Sequence, residues 1–92
     1  MLLRDKVVLV SGIGPGMGES IARACAREGA RLVLAARTQK AVEELAASLR
    51  ATDRQAIGVP TDVADEAQSH ALVEAAIARF GRIDVLVNNA FR

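Results

Sequence analysis

The chain alternates short apolar runs with longer segments in which apolar residues recur every three or four positions. Continuous, β-branched runs are typical of strands buried on both faces of a sheet, and the longer segments are typical of amphipathic helices. The predicted strands cover residues 6–10, 31–36, 55–60 and 83–87, with one helix between each pair. Because the connections are short, the strands should be parallel and joined by right-handed crossovers. The sequence therefore predicts an α/β fold of the form β-α-β-α-β-α-β.

The predicted helices carry start and stop signals. Gly29 is suited to the left-handed conformation that ends the first helix, over residues 19–28. Thr38 is the expected N-cap of the second helix. Asp65 and Gln68 resemble a capping box that opens the third helix, which should end at Gly81. The residues expected to form the buried face of the third helix are Val73, Ala76, Ile77 and Phe80.

The crossovers also predict how the elements are arranged. Right-handed connections give the strand order 3-2-1-4, with helices on both faces of the sheet and two of the three on one face. The apolar fourth strand then lies at an open edge. An exposed apolar edge and a partly uncovered face promote self-association, so we expect a homo-oligomer. No linker or internal repeat interrupts residues 1–92, which we interpret as one domain.

Charge and composition argue against several classes of function. The chain has 12 basic and 11 acidic residues and no basic cluster, which argues against nucleic-acid binding. Its longest uncharged apolar stretch is far shorter than the roughly 20 residues of a membrane helix. The N-terminus lacks the apolar region of a secretory signal, and a single cysteine fits a reducing compartment, so we expect a cytoplasmic protein with no membrane association. One cysteine and one histidine do not make a metal site.

A glycine-rich loop lies between the first strand and the first helix. A P-loop is excluded because Glu19 follows Gly18 where a lysine is required. The G-x-G-x-x-G pattern fails as well, whereas G-x-x-x-G-x-G fits Gly12, Gly16 and Gly18. Glycines let the backbone approach a pyrophosphate, and the following helix N-terminus favours an anion. A turn without a ligand is the alternative, but the strand, loop and helix stand in the order that dinucleotide binding requires.

Three motifs together resemble the short-chain dehydrogenase/reductase family. They are Ser11-Gly12-x-x-x-Gly16-x-Gly18 after the first strand, Asp62-Val63 after the third and Asn88-Asn89-Ala90 after the fourth. Ser11 stands where the family usually has Thr, and Phe91 where it usually has Gly. The resemblance implies that residues 1–92 are the N-terminal, NAD(P)-binding half of such a protein, with a Rossmann-like sheet.

The resemblance also implies a set of cofactor contacts at the carboxyl ends of the strands. The backbone of the loop that ends at Gly18 would face the pyrophosphate and the adjoining riboses, through Gly12, Gly14, Gly16 and Met17. Asp62 would accept a hydrogen bond from the adenine amino group, and the backbone of Val63 would lie beside the ring. Asn89 and Ala90 would line the nicotinamide ribose region.

The end of the second strand bears on the choice between NADP and NAD. An NAD site usually has an acid there, for the ribose 2′-hydroxyl, whereas this strand ends at Arg37. An arginine can pair with the 2′-phosphate of NADP, and Lys40 can add attraction. We therefore predict NADP as the preferred cofactor. The alternative is that Arg37 is a solvated residue at a strand end and that the cofactor is NAD.

Catalytic residues are not found in this sequence. In the family that it resembles, hydride transfer uses a Ser and a Tyr-x-x-x-Lys motif that would follow Arg92, and the chain has no tyrosine. We therefore expect an oxidoreductase portion that acts on alcohols and carbonyls in its parent protein but is inactive alone. The alternative is a non-catalytic nucleotide-binding or self-associating module. We expect a buried structural thiol at Cys25, a partly packed or surface histidine at His70 and a structural hydrogen bond at Asp84.

Overall fold

The computed structural model describes residues 2–12 and 17–88, without the side chain of Met17. Four strands and three helices alternate along it, as predicted. In chain order they are β1 (Val7–Ser11), α1 (Met17–Arg27), β2 (Arg31–Ala36), α2 (Gln39–Ala51), β3 (Ala56–Pro60), α3 (Glu66–Phe80) and β4 (Val85–Asn88).

The strands form one parallel sheet of order β3-β2-β1-β4, which confirms the predicted strand order. In the register, Ser11 at the end of β1 lies opposite both Ala35 of β2 and Asn88 of β4. Ala36 at the end of β2 lies opposite Pro60 at the end of β3. The carboxyl ends of all four strands therefore lie at one edge of the sheet.

The core is divided between the two faces of the sheet. On one face, alternate strand residues such as Leu32 and Leu34 pack against α1 and α2. On the other, Val33 and its neighbours pack against Leu72 and Ala76 of α3. Two helices thus cover one face and one helix covers the other, as the sequence predicts. Cys25 packs against the first cluster, and burial raises the pKa of its thiol, which supports a structural role.

Helix α2 lies directly on β3. An added Cβ at Gly58 would lie 2.7 Å from the carbonyl oxygen of Val42 and 2.8 Å from its carbonyl carbon. Both are backbone atoms of α2, so they cannot move aside by a change of rotamer. The absence of a side chain at Gly58 allows this close approach.

The prediction for the buried face of α3 is wrong at two positions. Val73 and Ile77 are 44% and 46% exposed, whereas Leu72 and Ala76 are 4% and 0% exposed. Phe80 is only partly buried, against the second cluster. The helix carries two adjacent apolar stripes, and the stripe that begins at Leu72 faces the sheet.

Most of the helix ends follow the predicted signals. The carboxylate of Asp65 accepts hydrogen bonds from two backbone N–H groups in the first turn of α3. Gly29 and Gly81 both have the left-handed conformation, with φ of 93° and 82°. Thr38 stands at the N-cap of α2, but its side chain makes no capping hydrogen bond, so only its predicted position is correct.

Asp84 joins β4 to β1, which confirms its structural role. Its Oδ2 accepts from the backbone N–H of Val7 at 2.8 Å, and its own N–H donates to the carbonyl of Val7 at 2.9 Å. Its Oδ1 accepts from the guanidinium of Arg82. The Arg82 hydrogen bonds and the Val7 N–H lower the pKa of this carboxyl.

The β4 edge leaves apolar side chains uncovered. Leu86 is 64% exposed, and Val85 is 40% exposed. Leu86 pairs with Leu9, which packs on the α3 side of the sheet, so Leu86 lies on the same side of the sheet as α3. Within the described residues, the face with one helix is therefore incompletely covered.

Candidate cofactor-binding site

The predicted site residues lie where the strands end. Gly12 directly follows β1, with φ of 84°, and its N–H donates to the carbonyl of Ala35 at 2.9 Å. A residue with a side chain rarely adopts this conformation, so glycine is strongly favoured here. The chain therefore leaves β1 through a turn that keeps the backbone accessible at the carboxyl edge.

The rest of the glycine motif is described only at its end. Gly18 is buried in the first turn of α1, the helix that the loop leads into, and Met17 is its first residue. Gly14, Gly16, Asn89 and Ala90 lie outside the described residues. Their predicted contacts with the pyrophosphate and the ribose stay predictions.

Arg37 and Asp62 meet at the same edge, although 25 positions separate them in the sequence. Each follows a strand end, and the N–H of Thr61 donates to the carbonyl of Ala36 at 2.7 Å, extending the pairing of β2 with β3. The Nε of Arg37 lies 3.8 Å from Oδ1 of Asp62. Their side chains are 72% and 41% exposed, so both remain accessible to a ligand.

Asp62 is held by the turn that leads into α3. Its Oδ1 accepts from the N–H of Ala64 at 3.0 Å, and its carbonyl accepts from the N–H of Asp65 at 2.9 Å. Its own N–H donates to Oε1 of Gln68 at 2.8 Å. In a capping box the Gln68 side chain would contact the N–H of Asp65. Here it reaches back to Asp62 instead, and so fixes the residue predicted to contact adenine.

The other predicted contacts are more weakly defined. Val63 is 40% exposed, and its carbonyl accepts from the hydroxyl of Ser69 at 3.2 Å, so its backbone is fixed beside Asp62. Lys40, which was expected to attract a 2′-phosphate, pairs with Glu44 at 4.0 Å one turn further along α2. Glu44 therefore offsets part of the charge that Lys40 brings.

Two contacts at this edge were not predicted. The hydroxyl of Ser11 donates to Oδ1 of Asn88 at 3.1 Å, which links the ends of β1 and β4. Gln68 holds Asp62, as described above. The Ser11 contact follows from the strand register, in which Ser11 is opposite Asn88. The sequence contains no comparable signal for Gln68, whose position alone fits an ordinary helix cap.

Metal-site and membrane-helix patterns are missing from the described residues. Within residues 2–12 and 17–88, no three His, Cys, Asp or Glu side chains are grouped as metal ligands. None of the described helices has the length and hydropathy needed to cross a bilayer. His70 is exposed on α3.

The described residues fit a nicotinamide dinucleotide. The φ of 84° at Gly12 gives a turn without a Cβ before a helix N-terminus, which suits a pyrophosphate. Arg37 supplies a guanidinium for a phosphate, and Asp62 supplies a carboxylate oxygen for an amino group. The donor and acceptor types therefore match the two ends of an adenosine 2′-phosphate.

Comparison with known proteins points the same way. The family model for short chain dehydrogenases matches residues 6–91. L-rhamnose 1-dehydrogenase (NAD(P)(+)) from Azotobacter vinelandii is 44% identical over 98% of this chain and 37% of its own length. Meso-2,3-butanediol dehydrogenase from Serratia marcescens is 42% identical over 98% of this chain and 35% of its own length.

A solved structure agrees with the sequence comparisons. Hydroxysteroid dehydrogenase from Escherichia coli superposes with a TM-score of 0.93 and 31% identity, over 98% of this chain and 38% of the other. The chain thus spans little more than a third of the length of the relatives named here. The predicted Rossmann-like fold is confirmed. The chain belongs to the short-chain dehydrogenase family of oxidoreductases.

Proposed function

We propose that residues 1–92 are the N-terminal, cofactor-binding portion of an oxidoreductase that interconverts an alcohol and a carbonyl by hydride transfer. The family binds nicotinamide dinucleotides. The meeting of Arg37 and Asp62 at the carboxyl edge of the sheet is the observation that carries the proposal. Relatives named for dehydrogenation of L-rhamnose and of meso-2,3-butanediol support the reaction class.

The proposed contacts follow the order of the strands. The loop from Gly12 to Gly18 and the start of α1 hold the pyrophosphate, and Asp62 and Val63 hold the adenine. Asn89 and Ala90 hold the nicotinamide ribose. The bound cofactor supplies or accepts the hydride, and the protein determines its position and orientation.

NADP is the proposed cofactor in preference to NAD. The side chain after β2 is a guanidinium, which attracts a 2′-phosphate. The carboxylate of Asp62 lies 3.8 Å from this guanidinium, but Asp62 follows β3 and does not stand at the end of β2. The end of β2 therefore offers a cation, not the acid that holds a ribose 2′-hydroxyl in an NAD site.

Replacing Arg37 with Gln is expected to lower the affinity for NADPH about tenfold and to leave the affinity for NADH unchanged. A hydrogen bond to a charged group contributes about 1.5–3 kcal/mol, and the exposure of Arg37 favours the lower value. The measurement is thermal unfolding with each cofactor, since a ligand at 100 times its dissociation constant stabilises a folded protein by about 2.7 kcal/mol.

Arg27→Gln is the matched control for this experiment. Arg27 is exposed at the C-terminal end of α1, the end remote from the glycine loop. It should leave both affinities unchanged. Stabilisation by NADH equal to that by NADPH would contradict the cofactor preference, and stabilisation by neither would contradict the site.

The chain is expected to bind cofactor without reducing a carbonyl, and turnover of a carbonyl substrate by the chain would contradict that expectation. A purely nucleotide-binding or self-associating module, which has no catalytic parent, is the alternative.

Self-association is proposed through the uncovered apolar side chains beside β4. Leu86→Lys should shift the sedimentation coefficient of the chain toward that of the monomer, because it places a charge on the open strand edge. Leu2→Lys is the control, because Leu2 is 86% exposed and its backbone N–H is bonded to the side chain of Glu28, just after α1. An unmodified chain that sediments as a monomer at every concentration would contradict the proposal.

A cytoplasmic location stays a prediction.

A further inference from the structure

We propose that Asp62 is a positioning residue for Arg37 and thereby determines how strongly the site prefers a 2′-phosphate. This inference rests on the proposed function and assigns Asp62 a second role beside its contact with adenine. The 3.8 Å approach of Arg37 Nε to Asp62 Oδ1 is the observation behind it.

Asp62 is suited to orient a neighbour because it is itself fixed. Its N–H, its carbonyl and its Oδ1 are each engaged, by Gln68, Asp65 and Ala64 respectively. None of these three bonds involves a ligand, so the carboxylate is in place before a cofactor binds. A preformed group of this kind reduces the side-chain entropy lost when its partner becomes ordered.

Arg37 needs a fixed partner of this kind, because its own side chain is exposed. Its side chain is 72% exposed, and within residues 2–12 and 17–88 Asp62 is its ion-pair partner. The contact uses Nε, and it leaves Nη1 and Nη2 for a ligand. The paired terminal nitrogens of a guanidinium match the spacing of phosphate oxygens. Asp62 thus restrains Arg37 without occupying the end of the side chain that would bind the phosphate.

The two oxygens of the Asp62 carboxylate have different partners. Oδ1 accepts a hydrogen bond from the N–H of Ala64 and faces Arg37. The hydrogen bonds among the described residues leave Oδ2 for the adenine amino group. Loss of the adenine contact weakens NADP and NAD equally, because both carry adenine. Loss of the Arg37 anchor weakens NADP alone, so the ratio of the two affinities isolates the positioning role.

Asp62 could also weaken NADP binding, by competing with the 2′-phosphate for Arg37. If the carboxylate competed with the phosphate for Arg37, removing its charge would strengthen NADP binding relative to NAD. The carboxylate contacts Arg37 at Nε and leaves both terminal nitrogens for the phosphate, so the phosphate can bind without displacing the carboxylate. We therefore expect orientation to outweigh competition.

The test compares the dissociation constants of NADP⁺ and NAD⁺, measured by calorimetry, for the unmodified chain, Asp62→Asn, Arg37→Gln and the double variant. Asn keeps an oxygen for the Ala64 N–H and removes the charge. Asp62→Asn should lower the NADP preference about two- to fivefold, within the range expected for one exposed ion pair. In the Arg37→Gln background it should change the preference by less than a factor of about 1.5.

A second variant separates orientation from charge. Arg37→Lys keeps the positive charge, but its single nitrogen cannot contact Asp62 and also offer two free donors to a phosphate. The variant should lose part of the NADP preference, and adding Asp62→Asn to it should lower the preference little further. An unchanged or increased preference in Asp62→Asn would overturn the inference and leave the cofactor assignment standing. Failure of the unmodified chain to bind either cofactor would overturn both.

Discussion

Leu34→Ala is expected to lower the free energy of unfolding by about 2–5 kcal/mol, the range for removing a fully buried leucine side chain. Leu34 is 0% exposed in β2, and it belongs to the cluster beneath α1 and α2. The strand has a neighbour on each side and helices on both faces. The space left by the side chain therefore cannot be filled without moving several elements.

The loss is large compared with the total stability. A chain of 92 residues is expected to unfold at a cost of about 5–14 kcal/mol. In a domain of this size, 1 kcal/mol corresponds to about 4–8 °C in the melting temperature, so Leu34→Ala should lower it by about 8 °C or more. Urea and thermal unfolding, followed by circular dichroism, measure the change.

Leu2→Ala makes the same chemical change at a residue that is 86% exposed. It should alter the free energy of unfolding by no more than about 0.5 kcal/mol. Equal losses in the two variants would contradict the assignment of Leu34 to the core.

Gly58→Ala is expected to destabilise the fold by about 1–3 kcal/mol, because the added methyl group would overlap the backbone of α2. The sign of this effect is informative. Gly58 is not in the left-handed region, and alanine in the interior of a strand is ordinarily more favourable than glycine by about 0.5–1 kcal/mol. The contact with the Val42 carbonyl, at 2.7 Å, should reverse that preference.

Gly81→Ala separates crowding from backbone strain. An added Cβ at Gly81 meets no atom within 4 Å, but the residue has a φ of 82°. Its cost of about 1–2 kcal/mol should come from the left-handed conformation alone. A crystal structure of Gly58→Ala should show α2 displaced from β3, whereas α3 should keep its place in Gly81→Ala. A more stable Gly58→Ala would show that the approach of α2 is not this close.

Much of the fold was predictable because local and global signals agree. The apolar runs gave four strands, and right-handed crossovers fixed their order. The buried face of α3 was not predictable in the same way. Leu72 and Val73 are adjacent and both apolar, as are Ala76 and Ile77, so the spacing of apolar residues does not distinguish the stripe that meets the sheet.

The candidate site was predicted as a set of positions rather than as a set of contacts. The ends of β2 and β3 are neighbours in the predicted strand order, so the proximity of Arg37 and Asp62 could be predicted from the sequence. Their ion pair could not be predicted, because it depends on the turn that Gln68 and Ala64 stabilise. Side-chain hydrogen bonds of this kind depend on turn geometry, which sequence spacing alone does not specify.

The central position of β1 has a consequence for the order of folding. Its pairing with β2 joins residues 24 apart in the register, whereas the bond from Val7 to Asp84 joins residues 77 apart. Closing the longer loop costs more chain entropy, and contacts of high sequence separation slow folding. During synthesis from the N-terminus, β1 can therefore pair with β2 early, but its other side stays open until β4 has been made. The first strand of the chain is thus the last to be enclosed.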